Sequence, residues 1–181
     1  MLAPLLRSLV ALRITPDAIT LTAGLIGLAF IPLWLLGYYA AALACIGVHI
    51  LLDGVDGPLA RHAGTASSRG SFTDTFTDQL IVTGVSIAWM IHQPTSINIA
   101  AGTTYVFLYA MVVAMAMVRN AMDIPYSWLV RPRFFVYLGL VIDFCWDTNT
   151  TLIAMLIFIP LLALKTFSGF LALRNSLPGA D

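Results

Sequence analysis

The chain has 181 residues, of which 60% are hydrophobic and only 10% charged, with nine cations balancing nine acids. A soluble domain carries roughly a quarter charged residues, so this composition excludes a water-soluble globular protein. It fits a chain dissolved in a bilayer, where each span needs about 20 mostly apolar residues, and no nucleic-acid partner is expected.

Leu2, Leu5, Leu6 and Leu9 recur at helical intervals near the start, with Arg7 and Arg13 flanking them. This pattern predicts a short amphipathic helix in the membrane interface. Thr15-Pro16 reads as a helix start, with Thr15 as N-cap and Pro16 at the first helical position. Six apolar spans follow, over about 16–36, 39–62, 71–92, 96–118, 130–146 and 150–173. Pro32 and Pro160 are candidate kinks. The expected fold is all-α: a polytopic membrane protein of six transmembrane helices plus the interfacial helix, in one domain over residues 1–181. No repeat, soluble domain or cleavable signal peptide is expected. Cys45 and Cys145 lie in apolar runs and are read as buried, reduced thiols.

The cations mark alternate connections. Arg7 and Arg13 precede the first span, and Arg61 and Arg69 lie between the second and third. Arg119, Arg131 and Arg133 lie between the fourth and fifth, and Arg174 follows the last. The positive-inside rule then places both termini and the charged connections on the cytoplasmic side of a multi-pass protein. In a prokaryote that membrane would be the plasma (inner) membrane.

Within this apolar chain, residues 53–78 read Asp53-x2-Asp56-Gly57-x2-Ala60-Arg61-x8-Gly70-x3-Asp74-x3-Asp78. A charged side chain at the centre of a span costs about 2.5–3.5 kcal/mol or more, so four carboxylates need a polar cavity and a shared partner. Asp53 and Asp56 are three apart and Asp74 and Asp78 four apart, so each pair shares a helix face. If the connecting segment makes the two helices antiparallel neighbours, the four converge. Hard oxygen ligands suit Mg²⁺ or Mn²⁺, and two divalent ions balance four aspartates. Gly57, Ala60 and Gly70 clear the helix surfaces for a bulky group, and Arg61 offers a donor fork to phosphate oxygens. Together these features point to a diphosphate-containing nucleotide. His49 and His62 flank the motif, and neither is read as a ligand. Asp143 and Asp147 share a face away from the cluster, and Asp147 is read as a cap of the last helix.

This motif resembles the signature of the CDP-alcohol phosphotransferases, with every defining position filled. The resemblance implies that Asp53, Asp56 and Asp74 ligate metal and that Asp78 is the general base and also touches metal. It places Asp56, Gly57, Ala60, Arg61 and Gly70 around the CDP moiety. It implies a homodimer with its site open to the cytoplasm, and displacement of CMP from a CDP-linked lipid by an acceptor alcohol. Two departures stand out. Asp17 replaces the Asn often found after Thr-Pro, and Pro58 removes a backbone donor inside the motif.

Arg119, Arg131, Arg133 and Lys165 are the candidate acceptor-binding residues. Their charge favours a polyol phosphate, such as glycerol phosphate or inositol phosphate, over serine or another amino alcohol. Two other classes compete. An intramembrane prenyltransferase usually separates its Asp-rich pairs in sequence, and a divalent-metal transporter would hold its aspartates near the midplane.

Overall fold

A computed structural model of the chain describes residues 3–124 and 131–176. Leu2 of the predicted amphipathic segment and Val130 at the start of the fifth predicted span lie outside the described residues. Among the described residues there are seven helices and no strand. The chain divides into two compact units, Met1–Ala88 and Trp89–Asp181.

The first unit holds α1 (Ala3–Ala11), α2 (Pro16–Leu35), α3 (Tyr39–His62) and most of α4 (Ser68–His92). Helix α1 forms where the leucine spacing predicts one; its Leu6 is buried with Ile19 and Leu59, while Leu5 stands exposed. Thr15 N-caps α2 as its sequence predicts. Its backbone is extended, and its side-chain oxygen accepts from the Ala18 N–H at 3.2 Å. One stripe of α2, including Thr20, Ala23, Gly24 and Gly27, faces inward. A Cβ added at Gly24 or Gly27 would lie 2.7 Å from Thr77 Cγ2 or Ile81 Cδ1. The small residues therefore let α4 lie directly on the α2 backbone.

Helix α3 runs unbroken through Pro58 to His62, and Gly64 follows with a φ of 67°, which favours glycine. The Thr65 N–H bonds the Ala60 carbonyl at 2.9 Å and the Gly64 N–H bonds that of Arg61 at 3.3 Å, a Schellman arrangement. Residues 63–67 then reverse the chain. The Gly70 N–H donates to Ser67 Oγ at 3.1 Å, which starts α4 at Ser68 instead of residue 71.

The second unit contains the end of α4, then α5 (Ser96–Ala121), α6 (Pro132–Trp146) and α7 (Thr150–Ser176), with α7 packed on both α5 and α6. The cap of α7 differs from the sequence reading. Asp143 accepts from the Thr150 N–H at 2.6 Å and the Thr151 N–H at 3.0 Å. Asp147 instead closes α6 in a left-handed conformation. Gly139 explains the exchange: a Cβ there would stand 2.8 Å from Thr151 Cα. That close approach brings the first turn of α7 beside Asp143. Both cysteines are free, but Cys145 is exposed and Cys45 only half-buried, because α6 turns this apolar residue outward.

Helices α2, α3, α5 and α7 are long and apolar enough to cross a membrane. Leu21, Leu51, Phe107 and Leu164 stand exposed on them, a surface suited to lipid. The chain is an integral membrane protein. Neither α4 nor α6 meets the same standard. Helix α4 carries Arg69, Asp74, Asp78 and Gln79 in its first half, and α6 has 15 residues.

Candidate functional site

The stripe of α3 that is apolar at Ala42 and Ile46 becomes polar at His49, Asp53 and Asp56. These residues are spaced by three or four, so all lie along one face. Asp74 comes from the start of α4 after the Gly64 reversal. One carboxylate oxygen from each of Asp53, Asp56 and Asp74 lies within 4.8 Å of the others. Asp56 is buried, and Asp53 and Asp74 are half-buried. Such a trio of hard donors on two antiparallel helices is what a Mg²⁺- or Mn²⁺-sized cation requires. Asp78, one turn further along α4, is not in this trio among the described residues.

Asp56 is the most constrained of the three. Its Oδ2 accepts from the Thr20 hydroxyl at 2.6 Å, and its Oδ1 accepts from the Gly57 N–H at 2.6 Å. Thr20 is a site residue that the motif alone does not reveal. Its signal in the sequence is a hydroxyl on the inward stripe of α2, one turn beyond the Thr15 cap. Asp17, on the same face, reaches Gly70: its Oδ1 lies 3.9 Å from the place a Gly70 Cβ would occupy. Gly57 serves a related purpose. Arg61 is exposed, and its Nη1 lies 3.5 Å from the Cβ position of Gly57, so the guanidinium folds over bare backbone. Ala60, between them in sequence, is half-buried. The structure thus gathers Asp53, Asp56, Asp74, Gly57, Ala60, Arg61 and Gly70 around one end of α3 and α4.

Asp78 is buried and faces His49, with Nε2 of the ring 3.6 Å from its Oδ1. His49 is absent from the carboxylate trio among the described residues. Its proximity was visible in sequence only as a spacing of one turn before Asp53.

The acceptor candidates lie in the second unit. Arg133 is 3% exposed, with Cζ 5.0 Å from the Phe134 ring centroid, while Arg119 is half-buried and Arg131 and Lys165 are exposed.

A family profile described as CDP-alcohol phosphatidyltransferase matches residues 13–175. The chain belongs to the CDP-alcohol phosphatidyltransferase family. Membership sets aside the prenyltransferase and metal-transporter readings. The chain is 38% identical to the inner membrane protein YnjF of Escherichia coli over 89 residues, 49% of this chain and 43% of YnjF. It is 30% identical to the archaetidylinositol phosphate synthase of Aeropyrum pernix over 127 residues, 69% of this chain and 57% of that protein. The chain thus spans about half the length of the curated relatives it matches. Among solved structures it is similar to the phosphatidylinositol phosphate synthase PgsA1 of Mycobacterium tuberculosis. The form with manganese and citrate superposes at TM-score 0.79 with 19% identity, covering 100% of this chain and 92% of that one. The form with CDP-DAG bound gives 0.80 and 17%, covering 98% and 96%. At these identities the likeness shows the shared fold.

Proposed function

We propose that this family member transfers a phosphatidyl-type group from a CDP-linked lipid, such as CDP-diacylglycerol, to the hydroxyl of an acceptor alcohol. The convergence of Asp53, Asp56 and Asp74 carboxylate oxygens within 4.8 Å, beside Arg61 and Gly57, carries this reading. The donor set fits Mg²⁺ or Mn²⁺, and manganese in the related PgsA1 structure supports that choice. Two bound ions would neutralise charge on the diphosphate and the departing CMP. Arg61 donates to the phosphates, while Gly57, Ala60 and Gly70 let the CDP moiety approach the backbone. The acceptor oxygen bonds to the phosphorus that carries the lipid, and the bond from that phosphorus to the bridging oxygen breaks. CMP leaves with the bridging oxygen, and Asp78 takes the hydroxyl proton. The match over 13–175 supports one catalytic domain across 1–181; the homodimer rests on the family resemblance. The test is CMP release from CDP-diacylglycerol with Mg²⁺ or Mn²⁺ and a panel of alcohols. No release with any acceptor would sink the assignment.

Thr20 orients Asp56, and ligand-orienting partners typically contribute 10–100-fold in metal affinity. Thr20→Val is therefore expected to weaken Mn²⁺ binding by about that factor, measured by titration of the purified protein. Unchanged affinity would remove Thr20 from the site.

The acceptor is an anionic polyol phosphate in this reading. Arg119, Arg131, Arg133 and Lys165 supply the charge, and Arg grips phosphate through charge-assisted, often bidentate bonds. The burial of Arg133 and the inositol phosphate named in two relatives support it. Arg131→Ala and Arg133→Ala are expected to raise the acceptor KM more than the KM for the CDP-lipid. Equal kinetics in correctly inserted variants would leave these arginines only orienting the chain. Efficient use of serine, with phosphorylated acceptors ignored, would move the enzyme to the amino-alcohol group.

Six crossings, with termini and site on the cytoplasmic side, are the topology we assign. The alternation of cations between connections supports it. In a cysteine-free background, single cysteines at Ser68 and Ser176 should label from the cytoplasm and those at Ser96 and Asn149 from outside. Labelling of Ser68 and Ser96 from one side would break the six-crossing scheme.

A further inference from the structure

We propose that Gln79 is a specificity-determining residue that holds a hydroxyl of the acceptor alcohol beside the one that reacts at Asp78, an inference that rests on the transfer reading. Ser71, Thr75, Asp78 and Gln79 recur at i, i+4, i+7 and i+8, so they share one face of α4. The opposite side of the helix carries Leu80 and Ile87, exposed as a lipid-facing surface would be. Burial along the polar face is graded. Ser71 is exposed, Thr75 half-buried and Asp78 buried. Further along the same face Val82 is 1% and Ser86 0% exposed, and the Ser86 hydroxyl donates to the Val82 carbonyl at 2.7 Å. The face is therefore open at the start of α4 and closed beyond Gln79, a blind-ended polar track in an apolar chain.

Gln79 stands at the inner end of that track with half of its amide unused. Its Nε2 donates to the Thr83 hydroxyl at 3.1 Å, one turn further along. Its Oε1 is buried and accepts no hydrogen bond from the described residues. A buried carbonyl oxygen without a donor is costly, and a donor brought by the substrate removes the deficit. The residue as a whole is half-buried, and the last torsion of a glutamine is soft, so the oxygen can meet a ligand while the helix stays in place. Consecutive Cα atoms lie about 3.8 Å apart, so a hydroxyl bound at Gln79 neighbours the one that Asp78 deprotonates. A neutral amide has no charge to match a phosphate, whereas a hydroxyl offers the donor that Oε1 lacks. The feature read here is thus a non-reacting hydroxyl of a polyol, not its phosphate.

A glutamine that only bridged to Thr83 would matter for folding and not for the ranking of acceptors. The test supplies CDP-diacylglycerol and Mn²⁺ with inositol phosphate, glycerol phosphate and their monodeoxy analogues, each lacking one non-reacting hydroxyl. In wild type at least one analogue is expected to lose about 10–100-fold in kcat/KM against its parent. Gln79→Met keeps the length of the side chain and removes the amide. It should lose a similar factor on the parent acceptor, hold the KM for CDP-diacylglycerol within about twofold, and no longer distinguish the parent from that analogue. An unchanged ratio of parent to analogue in Gln79→Met overturns the inference while the transfer reading stands. Wild type that tolerates the loss of every such hydroxyl does the same, as does wild type that prefers serine, whose one hydroxyl is the one that reacts. No CMP release by wild type with any acceptor overturns the transfer reading and this inference with it. If Gln79→Met does not fold, Gln79→Asn decides, because it keeps an amide but withdraws it by one methylene. The ratio of parent to analogue is then expected to fall severalfold; an unchanged ratio overturns the proposal.

Discussion

Asp53→Asn, Asp56→Asn and Asp74→Asn are each expected to reduce CMP release by at least about 10²–10³-fold. Each change removes a hard oxygen donor and a unit of negative charge from a trio confined within 4.8 Å. The amide that replaces the carboxylate keeps the shape, so a loss of activity reports the donor set and not the packing. Asp56→Asn carries a second cost. Asp56 Oδ1 accepts from the Gly57 N–H and Oδ2 from the Thr20 hydroxyl. An amide nitrogen placed at either position would oppose a donor with a donor. Mn²⁺ affinity should fall in all three variants, and most in Asp56→Asn. Near-normal turnover in any two of them at saturating Mg²⁺ or Mn²⁺ would sink the metal-dependent reading.

Asp78→Asn is expected to behave differently. Asp78 lies outside the trio and faces His49. As a base it acts on the acceptor hydroxyl, so its loss should lower kcat by about 10²–10⁴-fold while CDP-lipid affinity survives. Binding of a CDP ligand, measured in the presence of Mn²⁺ without acceptor, separates this from a ligand role. An equal loss of Mn²⁺ and CDP binding would reassign Asp78 as an ordinary metal ligand.

Much of this protein was legible in its residues. Apolar length and charge placement gave the helices, because a backbone in hydrocarbon must satisfy its own hydrogen bonds and has few other choices. Thr15-Pro16 announced the start of α2, since the cap acts through neighbours in sequence. The spacings Asp53–Asp56 and Asp74–Asp78 gave two acidic faces, because helical geometry is the same in every helix. The crossing status of α4 was harder to read, since the aspartates that build the site also dilute its apolar character.

Contacts between helices were decided only in three dimensions. Nothing local in sequence joins Thr20 to Asp56, 36 residues apart, or His49 to Asp78. Thr20 meets Asp56 where α2 packs on α3, whereas His49 meets Asp78 because Gly24 and Gly27 let α4 settle against α2 and Gly64 reverses the chain after α3. The cap of α7 shows the same limit. Asp147 is nearer in sequence, yet Asp143 takes the bonds because Gly139 admits the α7 backbone beside it. Sequence by itself determined which residues are charged and which helical face each one occupies, since both are properties of a single segment. Tertiary structure decided which faces meet, because that depends on the close approach of backbones far apart along the chain.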